Sequence, residues 1–209
     1  MAIKLVFANT CIVVLICIFE SCSHFCTSTA QIPLSGGIAS INPDLDSVKV
    51  GDTLRFNSSF PKNLKYENGG APDSGTINLS GAKDVLTDVH MTSILGLNTA
   101  APAMDSFSLF PKKGTIRDNS LDLHAAKTIY FEEDYDSFNF SMNILPLKRG
   151  IYCLVVLGVF AAKKDCVKSS ISIRFNNVDN HWHYLRDIYY GGTSINANDS
   201  LMSYCFKVY

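Results

Sequence analysis

The chain has 209 residues, of which 47% are apolar and 18% charged, and its formal net charge at neutral pH is −1. That much apolar mass supports a packed core and excludes an intrinsically disordered chain. No basic cluster occurs, which argues against nucleic acid as a partner. A P-loop, a dinucleotide fingerprint and a nucleophile elbow are all missing from the sequence, so the chain reads as a non-enzyme that needs no cofactor.

Residues 1–21 read as a secretory signal. Lys4 precedes an apolar stretch from Leu5 to Phe19, which is shorter than the roughly 20 apolar residues a spanning helix needs. Small polar residues follow, and the segment Phe19-Glu20-Ser21-Cys22 resembles the lipobox of bacterial lipoproteins. That resemblance implies that Cys22 becomes the lipidated N-terminus, and that acyl chains hold the protein on a membrane without a spanning helix. A plain secretory cut near Thr29 or Ala30 is the alternative, and it would remove both Cys22 and Cys26.

Residues 22–45 read as a tether and entry strand, and residues 46–209 as one β-sandwich domain. Alternation of apolar and polar residues, the period of a strand with one wet face, marks Leu54 and Phe56, then Val85, Val89 and Met91. It returns at Phe107 and Leu109, at Phe138, Phe140, Met142 and Ile144, and at Ile171, Ile173 and Phe175. By contrast Ile151 to Phe160 is apolar at nearly every position and predicts one central strand covered on both faces. Two short helices are predicted: Asp179 to Tyr190, where Trp182, Leu185 and Tyr189 recur at helical spacing, and, on weaker periodicity, Leu121 to Lys127. Many short strands with regular turns give an all-β, mainly antiparallel sandwich.

Of seven cysteines, Cys11 and Cys17 leave with the signal and Cys22 goes to the lipid. Cys26, Cys153, Cys166 and Cys205 remain in an oxidising compartment, with three possible pairings. Matching by environment joins Cys153 to Cys205, both in apolar runs, and Cys26 to Cys166, both in polar ones. Buried unpaired thiols are the competing reading.

The segment Val48-Lys49-Val50-Gly51-Asp52-Thr53-Leu54-Arg55-Phe56 resembles the opening strand of immunoglobulin-like modules in extracellular bacterial proteins. Together with the lipobox, it makes the chain similar to envelope lipoproteins of the Bacteroidota type. The resemblance implies an immunoglobulin-like fold anchored to the outer membrane. In lipoproteins of that type acidic residues soon after the lipidated Cys accompany surface export, and Ser23 to Cys26 include none, so the resemblance implies the periplasmic side rather than the cell surface.

Three clusters carry candidate chemistry. Trp182, Tyr184, Tyr189 and Tyr190 could stack on a glycan, or could close one end of the sandwich. In the same stretch His181 and His183, with Asp179 and Asp187 nearby, could share a metal if extended, but in a helix would diverge by about 200°. Because the segment reads as helical, the histidines are assigned to a wet edge and no metal is expected. Glu132, Glu133, Asp134 and Asp136 could hold calcium, but their order does not match an EF-hand loop, and they are assigned to a solvated turn that discourages edge pairing. The functional expectation is a lipid-anchored structural or interaction module with a protein partner, and the alternative is a carbohydrate-binding accessory protein.

Overall fold

A computed structural model describes residues 31–67, 74–119, 126–162, 168–178, 180–193 and 201–209. The first strands are β1 (Gln31–Asn42), β2 (Ser47–Val48), β3 (Leu54–Pro61), β4 (Asn63–Glu67) and β5 (Ser74–Asn78). A long β6 (Lys83–Gly96) turns into β7 (Thr99–Pro102), followed by β8 (Phe107–Lys113), β9 (Thr115–Asp118), β10 (Ala126–Tyr130) and β11 (Glu132–Glu133). The chain closes with β12 (Ser137–Pro146), β13 (Gly150–Val156), β14 (Val159–Ala162), β15 (Lys168–Phe175) and β16 (Ser203–Val208). Among the described residues, no helix is long and apolar enough to cross a membrane.

The fold is an all-β, mainly antiparallel sandwich, and β4–β5 form a separate hairpin. One hydrogen-bonded path runs β11-β12-β3-β1-β15-β14-β6-β13-β16-β2, with β8 added at β12 and β7 and β10 at β6. Two pairings are parallel, β1 with β15 and β16 with β2. The path folds back on itself, so strands far apart along it meet face to face. Phe175 of β15 lies 5.9 Å from Tyr204 of β16, and Phe107 of β8 packs edge-on against Tyr152 of β13 at 4.8 Å.

Period-2 alternation builds the core between these layers. Along β12, Phe138, Phe140, Met142 and Ile144 are all buried while the residues between them are half-exposed. Opposite them in register, β3 contributes Leu54, Phe56 and Phe60. The Gly51-Asp52 turn sits just ahead of β3: the Lys49 N–H donates to Asp52 Oδ2 at 2.8 Å, and Gly51 takes φ +89°. That positive φ suits glycine, which has no Cβ to clash.

Several boundaries differ from the sequence reading. β1 pairs with both β15 and β3, so the body takes in the chain from Gln31 onward. The run Ile151 to Phe160 is two strands. After Val156 the chain leaves the β13 ladder, and Thr87 Oγ1 donates to the Leu157 carbonyl at 2.8 Å, holding the break before β14. Ala126 and Lys127 belong to β10, where pairing with His90 and Val89 of β6 overrides the weak helical periodicity; residues 120–125 lie outside the described residues. The segment after Asn180 is helical only from His183, and most of it, Leu185–Tyr189, is a π-helical turn closed by Tyr190 N–H donating to the Leu185 carbonyl at 2.9 Å.

That turn gives β13 its second cover. Tyr152, Leu154 and Val156 face the main core. On the opposite face Cys153, Cys205 and Ile94 form a smaller cluster beneath Tyr184, Leu185, Ile188 and Tyr189. Cys153 and Cys205 stand directly opposite one another on β13 and β16 and are joined by a disulfide spanning 52 residues of chain. Cys26 and Cys166 lie outside the described residues.

Two measurements probe this packing. Cys153→Ser opens the 52-residue loop and lowers stability by up to about 4 kcal/mol on the chain-entropy estimate, read as a lower guanidinium midpoint that matches the reduced wild type. Met142→Ala, at a fully buried site, costs about 2–5 kcal/mol by transfer and cavity terms and leaves the disulfide intact by thiol assay.

Candidate functional site

The segment 177–190 is brought to the β16 edge by backbone and amide bonds. Asn177 copies a strand pairing: its Oδ1 accepts from the Ile41 N–H at 2.9 Å and its Nδ2 donates to the Ile41 carbonyl at 2.7 Å. One residue on, the Val178 N–H donates to Asp44 Oδ2 at 3.1 Å. The Cys205 N–H then donates to the Asn180 carbonyl at 2.9 Å. These bonds fix the chain entering His181, which adopts φ +52°.

That left-handed residue ends the helical register before it begins. His181 and His183 therefore do not diverge as they would on a helix; their rings lie 6.3 Å apart at 81°. Both face the loop between β1 and β2. His181 Nε2 is 3.3 Å from Asp44 Oδ1 and its Nδ1 is 3.7 Å from Asp46 Oδ1, while His183 Nε2 is 3.2 Å from that same Asp46 oxygen. One ligand atom from each of Asp46, His181 and His183 lies within 4.8 Å of the others. The donors converge although the sequence reading assigned the histidines to a wet edge. The reason is that two bends, one in each loop, bring together residues some 135 positions apart.

The carboxylates are themselves held. Tyr204, buried in the core, donates its hydroxyl to Asp44 Oδ1 at 3.1 Å and accepts from the Leu45 N–H at 3.1 Å. The Lys207 N–H donates to the Asp46 carbonyl at 3.0 Å. Tyr184 donates to Asp46 Oδ2 at 2.9 Å. Burial first and that bond second push the Tyr184 phenol up to about 12, so it stays a donor across the physiological range. Of the carboxylates expected beside the histidines, Asp187 is instead paired with Arg186 at 2.6 Å, and Asp179 lies outside the described residues. Asp44 and Asp46 escaped sequence reasoning; the one trace of them is that Asp44-Leu45-Asp46 repeats the i, i+2 spacing of His181-Trp182-His183.

The four aromatic candidates do not make one platform. Tyr184 lies against the His183 ring at 4.2 Å, and Tyr189 meets Tyr190 at 89°. Trp182 is 38% exposed and carries the Arg186 guanidinium 5.4 Å over its ring. Stacking on a sugar needs rings that face water together, and here Tyr189 and Tyr190 stand edge to face while Tyr184 and Trp182 are each taken up by another side chain. Tyr190 instead joins Leu185, Val155, Leu157 and Met202 around an apolar cleft of about 260 Å³. Beside it stands the β6–β7 tip, where Leu95 and Leu97 are 63% and 64% exposed and the Asn98 N–H donates to the Tyr189 carbonyl at 2.8 Å.

Two of the four acidic residues in β11 and the turn to β12 are paired with lysines. Glu133 meets Lys62 at 2.8 Å and Asp134 meets Lys113 at 2.6 Å. Those bonds, from Lys62 and Lys113 respectively, hold both carboxyls below their usual range.

No family model matches the chain, and no curated protein is significantly similar to it. Among solved structures it is similar to the human F-spondin reeler domain, at 11% identity and TM-score 0.37, over 75% of this chain and 95% of that one. It is also similar to a cohesin module from a family 33 glycoside hydrolase of Clostridium perfringens, at 11% identity and TM-score 0.32, over 68% and 98% of the two chains. A non-cellulosomal cohesin from Archaeoglobus fulgidus matches at 11% identity and TM-score 0.26, over 74% and 98%. These likenesses concern the all-β fold.

Proposed function

We propose that the chain is a lipid-anchored interaction module of the bacterial envelope, tethered through Cys22 to the outer membrane on its periplasmic side, and that it binds a protein partner and performs no catalysis. The observation that carries this reading is the exposed apolar surface beside the π-helical turn. Leu95 and Leu97 are exposed at the β6–β7 tip, which is hydrogen-bonded to Tyr189, and the next residue, Tyr190, lines the apolar cleft. Large aliphatic side chains left in water at the tip of a hairpin add nothing to the core, and contiguous ones are the usual mark of a contact surface. The sequence supplies the other half of the reading, since Ser21-Cys22 at the end of a short apolar signal is where a lipid would be attached. The carbohydrate alternative is not carried forward, because Tyr189 and Tyr190 stand at 89°, Tyr184 lies on His183 and Trp182 carries Arg186.

Each half has its own test. Cells grown with radiolabelled palmitate should label the wild-type protein and leave Cys22→Ser unlabelled; absence of label on the wild type removes the anchor. A photo-crosslinking amino acid at Leu97 should capture a discrete protein neighbour in intact cells, whereas one at Lys65, exposed on the β4–β5 hairpin, should not. Equal capture from both positions, or none from Leu97, removes the contact surface.

A further inference from the structure

The geometry points to a transition-metal site, of the kind that takes Zn²⁺, formed by Asp46, His181 and His183, with Asp44 orienting His181. Two imidazoles and a carboxylate suit a borderline divalent ion better than Ca²⁺ or Mg²⁺, which prefer all-oxygen shells. Bonds of about 2.0–2.1 Å in a tetrahedral shell place ligand atoms about 3.4 Å apart. The separations here bracket that value: Asp46 Oδ1 is 3.2 Å from His183 Nε2 and 3.7 Å from His181 Nδ1. All three ligand atoms lie within 4.8 Å of one another, so closing on an ion draws the two imidazoles together over the Asp46 oxygen.

Outer contacts set the ligands for this role. His181 places Nε2 3.3 Å from Asp44 Oδ1 and turns Nδ1 toward Asp46; a small rotation of the ring on binding an ion would complete the carboxylate–histidine–metal arrangement that fixes a tautomer and raises basicity. Asp44 is in turn held by the Tyr204 hydroxyl and the Val178 N–H. Tyr184 occupies Asp46 Oδ2, leaving Oδ1 as the ligand atom. The His181 side chain is 10% exposed, those of His183 and Asp46 40% and 52%, so an ion can enter from one side and a water can complete the shell. Bound there, it would clamp the β1–β2 loop to the segment that covers Cys153 and Cys205. This inference is independent of the anchor and of the protein partner.

The test uses the purified full chain, stripped with chelator and titrated with Zn²⁺ by calorimetry and with Co²⁺ by visible absorption. The site predicts one ion per chain, a Co²⁺ spectrum of low coordination number displaced by Zn²⁺ and not by Ca²⁺, and a melting temperature that rises with Zn²⁺. His183→Ala, at an accessible side chain, should melt as wild type without metal, and both it and Asp46→Asn should weaken Zn²⁺ by more than about 100-fold. Asp44→Asn, acting through the His181 ring, should weaken it by about 10–100-fold. Absence of saturable binding in the wild type overturns the site, and so does binding that His183→Ala and Asp46→Asn leave unchanged.

Discussion

The organisation of this protein follows from one constraint on β13: its side chains are apolar on both faces. Tyr152, Leu154 and Val156 fill the core between the layers, but Cys153 and Ile151 point the other way, where a sandwich strand ordinarily meets water. A strand of that composition at the centre of a sheet leaves a second apolar face whose exposure would oppose folding. The chain meets the requirement by laying Tyr184, Leu185, Ile188 and Tyr189 over Cys153, Cys205 and Ile94. The disulfide sits inside this second cluster and ties together the two strands that the cover spans.

A cover of about a turn and a half of helix buries little and must be held at its ends. At the entry, Asn177 bonds both polar groups of Ile41 and Val178 bonds Asp44. At the start of the turn, Tyr184 bonds Asp46, and at its far end the Tyr189 carbonyl accepts from Asn98. Two of these anchors are aspartates of the loop between β1 and β2. The same restraint that secures the cover therefore draws His181 and His183 onto carboxylates, and it leaves Leu95 and Leu97 standing beside Tyr189. Core, polar cluster and exposed apolar tip are three consequences of one docking event.

How much of this could be read beforehand depends on range. Strands such as β12 and β3 were legible because each carries its own period of two, and the shared apolar setting of Cys153 and Cys205 came from the same local signal. The two-faced character of Ile151 to Val156 was also visible, although not the nature of its second cover. What was hidden depends on distant partners. The break at Leu157 rests on Thr87, seventy residues earlier, and Ala126–Lys127 is strand because β6 offers a free edge. The histidine pair was misjudged for a local reason: the helical pattern is real, but the positive φ at His181 delays its start to His183, past both the predicted start and the first histidine. No pattern in the sequence joins Asp44 and Asp46 to residues 181–184.

Amide hydrogen exchange followed by NMR tests the second cover most directly, comparing the wild type with the double variant Leu185→Ser, Ile188→Ser. If covering the outer face of β13 is what stabilises this half of the sandwich, the amides of Tyr152 to Val155 and Tyr204 to Phe206 lose protection selectively, while those of β3 and β12 keep theirs. Protection unchanged in β13 and β16, or lost equally across both layers, would contradict the account.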